Sequence, residues 1–334
     1  MDNELWLAMT DLLRGYQKTQ IGCAVASLSI ADHLAARPLS LEALVEKTGA
    51  NPDGLRRLLR GAASLGLVRA ESDDLFASTP MLETLRSDAQ ASLRAVAIMH
   101  GSPNHWRPWG RLIDAVRTGQ AQAVAALGRP AFNYLAANPD EASFFAKAMQ
   151  STSEFVQAEV VRLLDTNGVA TAADIGGANG ALVCALIAAN PTLNGIVFDL
   201  PYAVDGATAF IKAKGLADRV EAIGGDFFES VPAAGLYLLK FILHDWDDAA
   251  CVKILTNVRR AMADDGRIAI VELRLGPMGD PGPAPLVDLT MLTLAGGRER
   301  TPDEYSKLLA SAGLKLASVK ETNSPFSIFE AVPV

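Results

Sequence analysis

Cysteine is scarce in this 334-residue chain, and Cys23, Cys184 and Cys251 stand far apart. With no CxxC pair, neither a disulfide framework nor a cysteine-built metal site is indicated, and reduced thiols are expected. Long hydrophobic runs are missing as well. The most apolar stretch near the start, IGCAVASLSIADHLA, is too short and too polar to span a bilayer. The opening MDNELWLAMTDLLRG lacks the basic-then-apolar layout of a secretory signal. A cytoplasmic protein with no membrane partner is expected. Positive charge is in deficit, with 30 Lys and Arg against 38 Asp and Glu and a net charge of −8, which opposes nucleic acid as a partner. No internal repeat or low-complexity segment is seen. Hydrophobic residues make up 50% of the chain and charged residues 20%, enough apolar material for a sizeable folded core and a soft prior of two domains.

Residues 1–98 read as helices followed by a short hairpin. Ala24 to Ala36 carries apolar residues at helical spacing, Ser40 caps a helix with acids in its first turn, and Asn51-Pro-Asp-Gly opens another that ends at Gly66. Leu67-Val-Arg and Leu75-Phe-Ala-Ser-Thr flank an acidic turn. Three helices and a two-stranded wing make a winged-helix module. Arg56, Arg57 and Arg60 on its third helix would suit DNA. Glu42, Glu46, Asp53, Glu71, Asp73 and Asp74 surround them and would repel phosphate, so reuse of the module for subunit contact is the better reading. Residues 99–165 read as linking helices. From residue 166 the pattern becomes short apolar runs, each followed by a helical stretch: Ala172-Ala-Asp-Ile, Gly195-Ile-Val-Phe-Asp, Leu236-Tyr-Leu-Leu-Lys and Arg267-Ile-Ala-Ile-Val-Glu. That alternation predicts an α/β, doubly wound parallel sheet covered on both faces, closed by two final strands.

The turn Asp174-Ile-Gly-Gly-Ala-Asn-Gly180 follows the first of these strands and opens a helix. Strand ends of this kind are where doubly wound sheets bind ligands. A dinucleotide fingerprint starting at Gly176 would need glycine at 178, where Ala178 stands, and Asp174 would repel a pyrophosphate. A cationic ligand suits the acid, and S-adenosylmethionine carries a sulfonium and an ammonium but no phosphate. Asp199 ends the next strand, where an acid can accept both ribose hydroxyls of either cofactor. Asp226, in Gly224-Gly-Asp-Phe-Phe, could accept an adenine amino group, and Phe227 could pack on the ring. A turn glycine or capping aspartate is the plain alternative at any one of these positions; three at successive strand ends outweigh it.

His244 lies just past a strand in Leu238-Leu-Lys-Phe-Ile-Leu-His-Asp-Trp-Asp-Asp, Glu272 ends the following strand, and Glu299 follows Gly296-Gly-Arg. A phenol has a pKa of about 10 and an imidazole about 6.5, so a histidine can take the hydroxyl proton as a methyl group arrives, steadied by a carboxylate on its other nitrogen. No metal is required. A ligand set of His244, Asp245, Asp247 and Asp248 is the competing idea, but consecutive acids after a strand more often cap the next helix.

These motifs resemble the caffeic-acid-type plant and bacterial natural-product O-methyltransferases across essentially the whole chain, most strongly in DIGGANG, VFDLP, GGDFF, LKFILHDWDD, AIVEL and GGRERT. The resemblance implies a Rossmann-like catalytic domain over 166–334, a helical winged-helix dimerisation domain over 1–98 and substrate-pocket helices over 99–165. It implies His244 as base with Glu272 and Glu299 beside it. S-adenosylmethionine would be held by Ser153, Gly176, Asp199, Asp226, Phe227, Lys240 and Trp246, and S-adenosylhomocysteine would leave as product. Phe145, Met149, Asp245 and Met291 would touch the acceptor. It also implies a homodimer, with the apolar run Ile21 to Leu34 in the contact. The segment Met291-Leu-Thr-Leu-Ala-Gly-Gly lacks the asparagine that plant relatives carry before the glycines, which favours a polyketide, phenazine or similar ring over a plant phenylpropanoid. The alternatives are transfer to nitrogen or carbon on the same fold and, from another class, a ligand-responsive DNA-binding regulator.

Overall fold

The computed structural model describes residues 3–334, the side chain of Phe155 apart. The chain divides into one unit of Met1–Gly110 with Ala123–Glu154, and another of Arg111–Gln122 with Phe155–Val334.

The first unit begins with α1 (Asn3–Leu13), which buries none of its residues, and α2 (Gly15–Ser27). A single helix expected over Ala24 to Ala36 is broken: Ser29 takes a left-handed φ of 54° and α3 (Ile30–Leu34) starts afresh. After β1 (Leu39–Ser40), the Ser40 hydroxyl accepts the Ala43 N–H to open α4 (Leu41–Thr48). The Asn51 side chain accepts the Gly54 N–H, with proline in the first turn, to open α5 (Pro52–Ser64). Strands β2 (Val68–Ser72) and β3 (Leu75–Ser78) form the antiparallel wing, and β1 pairs with β3. Arg56 pairs with Asp74, and Arg57 lies near Asp53. Val25, Ala26, Ile30, Ala31 and Leu34 are buried in this unit's own core with Leu44, Leu55 and Leu59. These five face inward, while Ile21, Cys23, Ala24 and Leu28 of the same run stay partly exposed. The apolar surface is on α1 and just beyond it, where Trp6, Leu12, Leu13 and Tyr16 are exposed. The unit boundary falls within α6 (Pro139–Leu163), between Glu154 and Phe155.

In the second unit the strands are β4 (Thr171–Ile175), β5 (Asn194–Asp199), β6 (Val220–Gly224), β7 (Leu236–Lys240), β8 (Arg267–Leu273), β9 (Leu314–Glu321) and β10 (Phe326–Pro333). They form a seven-stranded sheet in the order β6-β5-β4-β7-β8-β10-β9. The first five are parallel; β10 runs antiparallel between β8 and β9. Both faces are covered, one by a cluster including Leu239, Ile254 and Ile270, the other by Leu182, Val197, Leu238 and Val271, which is why these strands read as unbroken apolar runs. Helices α7 (Ala181–Ala189), α8 (Val204–Ala213), α9 (Asp248–Ala261), α10 (Ala284–Leu294) and α11 (Pro302–Ala310) supply the crossovers and flanks. Strand order reverses between β4 and β7, so the ligand crevice belongs at their carboxyl ends. Among the described residues no helix is long and apolar enough to cross a membrane.

Candidate active site

The turn after β4 uses glycine where only glycine fits. Gly180 has φ 77°, and a Cβ there would lie 2.4 Å from Val197 Cγ2. Ala178 takes φ 51° without glycine's freedom, held by its N–H donating to Asp199 Oδ2 at 2.8 Å. Further turn amides are spent within the protein: Gly176 N–H on the Phe198 carbonyl at 2.7 Å, and Gly180 N–H on the Gly177 carbonyl at 2.8 Å. A pyrophosphate needs such amides unspent. What the turn offers instead is acid. Asp174 is 2% exposed, and burial pushes its carboxyl up to about 6, partly offset by Lys240. Burial lowers the Lys240 ammonium, partly restored by Asp174. Asp199 Oδ1 accepts the Leu200 N–H at 2.7 Å, and each of its oxygens keeps a lone pair for a hydroxyl. Asp226 Oδ1 accepts the Phe228 N–H at 2.8 Å, which fixes the loop carrying Phe227. The Phe227 ring reaches Gly176, whose missing Cβ would lie 3.8 Å from it, and meets Trp246 edge-on at 6.1 Å. Spent amides, strand-end carboxylates and an aromatic wall fit a cationic nucleoside such as S-adenosylmethionine better than a dinucleotide.

Beyond β7 the chain turns sharply. Phe241 has φ 58°, an outlier for a bulky residue, and sends the backbone into a 3₁₀ turn, Leu243–Asp245. The His244 ring stacks against Phe241 with centroids 6.0 Å apart. Its Nδ1 lies 2.8 Å from Glu299 Oε1, while Nε2 faces Asp245 Oδ1 at 3.7 Å. Burial alone would lower the imidazole pKa. The charge of Asp245, the hydrogen bond to Glu299 and the charges of Glu272 and Glu299 outweigh that and hold it at about 10. Burial pushes the Glu299 and Asp245 carboxyls up against the pull of His244. Glu299 Oε2 is buried without a hydrogen-bond partner among the described residues.

Glu272, expected beside the imidazole, has a different attachment. It is fully buried, and Oε1 accepts the backbone N–H groups of Ile242, Leu243 and His244 at 3.1, 2.6 and 3.1 Å. Oε2 accepts the Tyr305 hydroxyl. It holds the turn rather than the ring, because a carboxylate ending β8 lies level with the amides that leave β7. Asp247 caps α9 through the Ala250 N–H, and Asp248 pairs with Arg300, so two of the acids a metal reading needs are engaged elsewhere. Met291 sits half-buried on α10. Phe145, Met149 and Ser153 belong to the first unit. There Phe145 and Met149 pack around Ala95, Met99 and Ala148, and the Ser153 hydroxyl donates to the Met149 carbonyl at 2.7 Å. Sequence reasoning missed Phe241, Arg300 and Tyr305. The one available signal was an arginine and a tyrosine placed just after the glutamate in GGRERTPDEY.

A doubly wound sheet whose strand-end carboxylates face a glycine turn, beside an imidazole paired with a buried carboxylate, defines an S-adenosylmethionine-dependent methyltransferase. The chain belongs to the O-methyltransferase family: residues 109–315 match the model of the O-methyltransferase domain and residues 10–88 that of the O-methyltransferase dimerisation domain. It is 38% identical over 327 residues to the phenazine O-methyltransferase of Lysobacter antibioticus, covering 98% of this chain and 96% of that one. It is 31% identical over 312 residues, 92% of this chain and 89% of the relative, to the 8-amino-8-demethylriboflavin N,N-dimethyltransferase of Streptomyces davaonensis. The solved structure of human N-acetylserotonin methyltransferase in complex with S-adenosylmethionine superposes with a TM-score of 0.91 at 27% identity, covering 99% of this chain and 98% of that one.

Proposed function

We propose that this protein methylates a hydroxyl of a small fused aromatic acceptor of the phenazine or polyketide kind, with His244 as the base. The observation that carries the reading is the buried Glu299 carboxylate 2.8 Å from Nδ1 of a half-buried imidazole. In the neutral ring such a bond places the proton on Nδ1 and leaves Nε2 as the acceptor. S-adenosylmethionine, when bound, supplies an electrophilic methyl carbon. Asp174, Asp199, Asp226, Phe227, Lys240 and Trp246 surround its place, with Gly176 letting the backbone come close. His244 takes the hydroxyl proton at Nε2 as the oxygen becomes nucleophilic. Asp245 and Glu299 stabilise the imidazolium that results, and Asp245 stands where it can also meet the acceptor. The carboxylates around the ring raise its proton affinity, which favours transfer of the hydroxyl proton to it. The roles of Ser153, Phe145, Met149 and Met291 rest on the family resemblance.

The phenazine O-methyltransferase relative supports the acceptor class, and the riboflavin relative supports a second reading, transfer to an amine. The matched dimerisation domain and the apolar surface of α1 support a homodimer, and a cytoplasmic location accompanies this reading. The test is a panel of hydroxyphenazines, hydroxynaphthoates and aminophenols with methyl-labelled S-adenosylmethionine, products read by mass spectrometry. Label on oxygen is expected, with turnover of His244→Ala down by at least roughly a hundredfold and cofactor affinity kept. Label on nitrogen alone, or full turnover in the variant, overturns the reading.

A further inference from the structure

The turn that carries His244 is too short to satisfy its own backbone. A 3₁₀ turn of three residues leaves amides and carbonyls unpaired at both ends, and here they lie at buried Leu243 and its half-buried neighbours. Glu272 takes three of the amides. The carbonyls are taken from the opposite direction. Arg300 is 1% exposed; its Nη1 donates to the Leu243 carbonyl and its Nη2 to the Trp246 carbonyl, both at 2.9 Å. Its Nε and Nη2 donate to Asp248 Oδ1 at 3.1 and 2.8 Å, which fixes the fork from behind. The Arg298 N–H takes the carbonyl of His244 itself at 2.9 Å, and the Cys251 thiol donates to the Leu243 carbonyl at 3.1 Å. A buried guanidinium is costly unless each donor is used, and only a planar fork spans two carbonyls and a carboxylate at once.

We propose that Arg300 is a positioning residue for the methyl transfer. With Tyr305 acting through Glu272, it clamps the backbone on both sides of His244 and so sets the imidazole against Glu299. Arg300 touches neither the donor nor the acceptor place described above and acts only through the turn. The inference rests on His244 being the base. An error of about 1 Å in the placement of such a group can cost roughly a hundredfold in rate, so the clamp has a kinetic consequence separable from stability. Without the fork, the Leu243 and Trp246 carbonyls lose a donor, and the ring loses its register with Glu299. Asp245 and Glu299 face that ring, the charge of Glu272 reaches it from the backbone side, and Asp288 stands behind Glu299, accepting the Glu299 N–H at 2.9 Å.

The readout that decides the clamp needs no acceptor. Protein labelled with ¹⁵N-histidine is titrated by NMR, His244→Gln identifying the His244 signal, in wild type, Arg300→Met and Arg300→Lys. S-adenosylhomocysteine affinity is measured by calorimetry, and folding by circular dichroism. In the arginine variants the His244 titration should fall from its raised position towards the ordinary 6.5, with lysine, able to reach one carbonyl, recovering part of the difference. Nucleoside affinity should stay within about threefold and turnover on the acceptor found by the panel should drop at least roughly tenfold. If Arg300→Met does not fold, Arg300→Lys and Asp248→Asn are read by the same signal. A folded variant with an unmoved His244 titration sinks the clamp, however much its melting point falls. Full turnover in His244→Gln sinks the base assignment instead, and the two results come from different proteins.

Discussion

His244 is held charged by its neighbours against its own burial. A folded pKa raised to about 10 from 6.5 means that the charged ring stabilises the fold below pH 6.5 and that this contribution is lost as pH rises through about 10. For activity the consequence is reversed: the ring accepts a proton only after losing one, so kcat/KM should climb with pH into the alkaline range. Glu299 favours the imidazolium, so Glu299→Gln should move that rising limb to lower pH. The maximum should also fall, by roughly 10²- to 10⁴-fold, because the tautomer is no longer fixed. A pH–rate series for the two proteins checks both, and an unmoved limb would remove Glu299 from the imidazole's electrostatics. His244 stood out in the sequence because it follows a strand end, and Glu299 because it is an acid set just after a glycine pair. The attachment of Glu272 was not: an acid closing an apolar strand looks the same whether it serves a ring or three backbone amides. Arg300 and Tyr305 read as ordinary loop and helix residues, since nothing local reports that they are buried.

At the level of elements, β4, β5, β7 and β8 were readable because burial on both faces demands continuous apolar residues. β6 was less so, with Glu221 exposed within it. The break between α2 and α3 was hidden, because Ser29 carries no sequence mark of its left-handed backbone. The loop before Glu299 presses against the turn that carries His244 at Gly297, where a Cβ would lie 2.0 Å from the His244 carbonyl oxygen and 2.7 Å from the Trp246 nitrogen. Backbone atoms cannot yield as a side-chain tip does. Gly297→Ala should therefore cost about 1–3 kcal/mol of stability and displace the turn. Calorimetric melting and turnover should fall together; an alanine variant with both unchanged would mean that the loop moves aside without consequence.

For the whole molecule, the apolar surface of α1 is the feature that one chain does not explain. Leu12 is 72% exposed and Trp6 54%, on a helix that buries nothing. Patches of this kind mark association surfaces. Trp6→Glu with Leu12→Glu should convert a dimer to a monomer by sedimentation and leave the core of the first unit intact, since neither side chain contributes to it. A double variant that still sediments as a dimer would place the contact elsewhere. The far end of the catalytic sheet carries its own implication. β10 is synthesised after β9 yet lies between β9 and β8. β9 is therefore joined to the sheet through β10 alone. Any change that loosens β10 strands β9 as well and bares the edge of β8, so the last two strands must be gained or lost together.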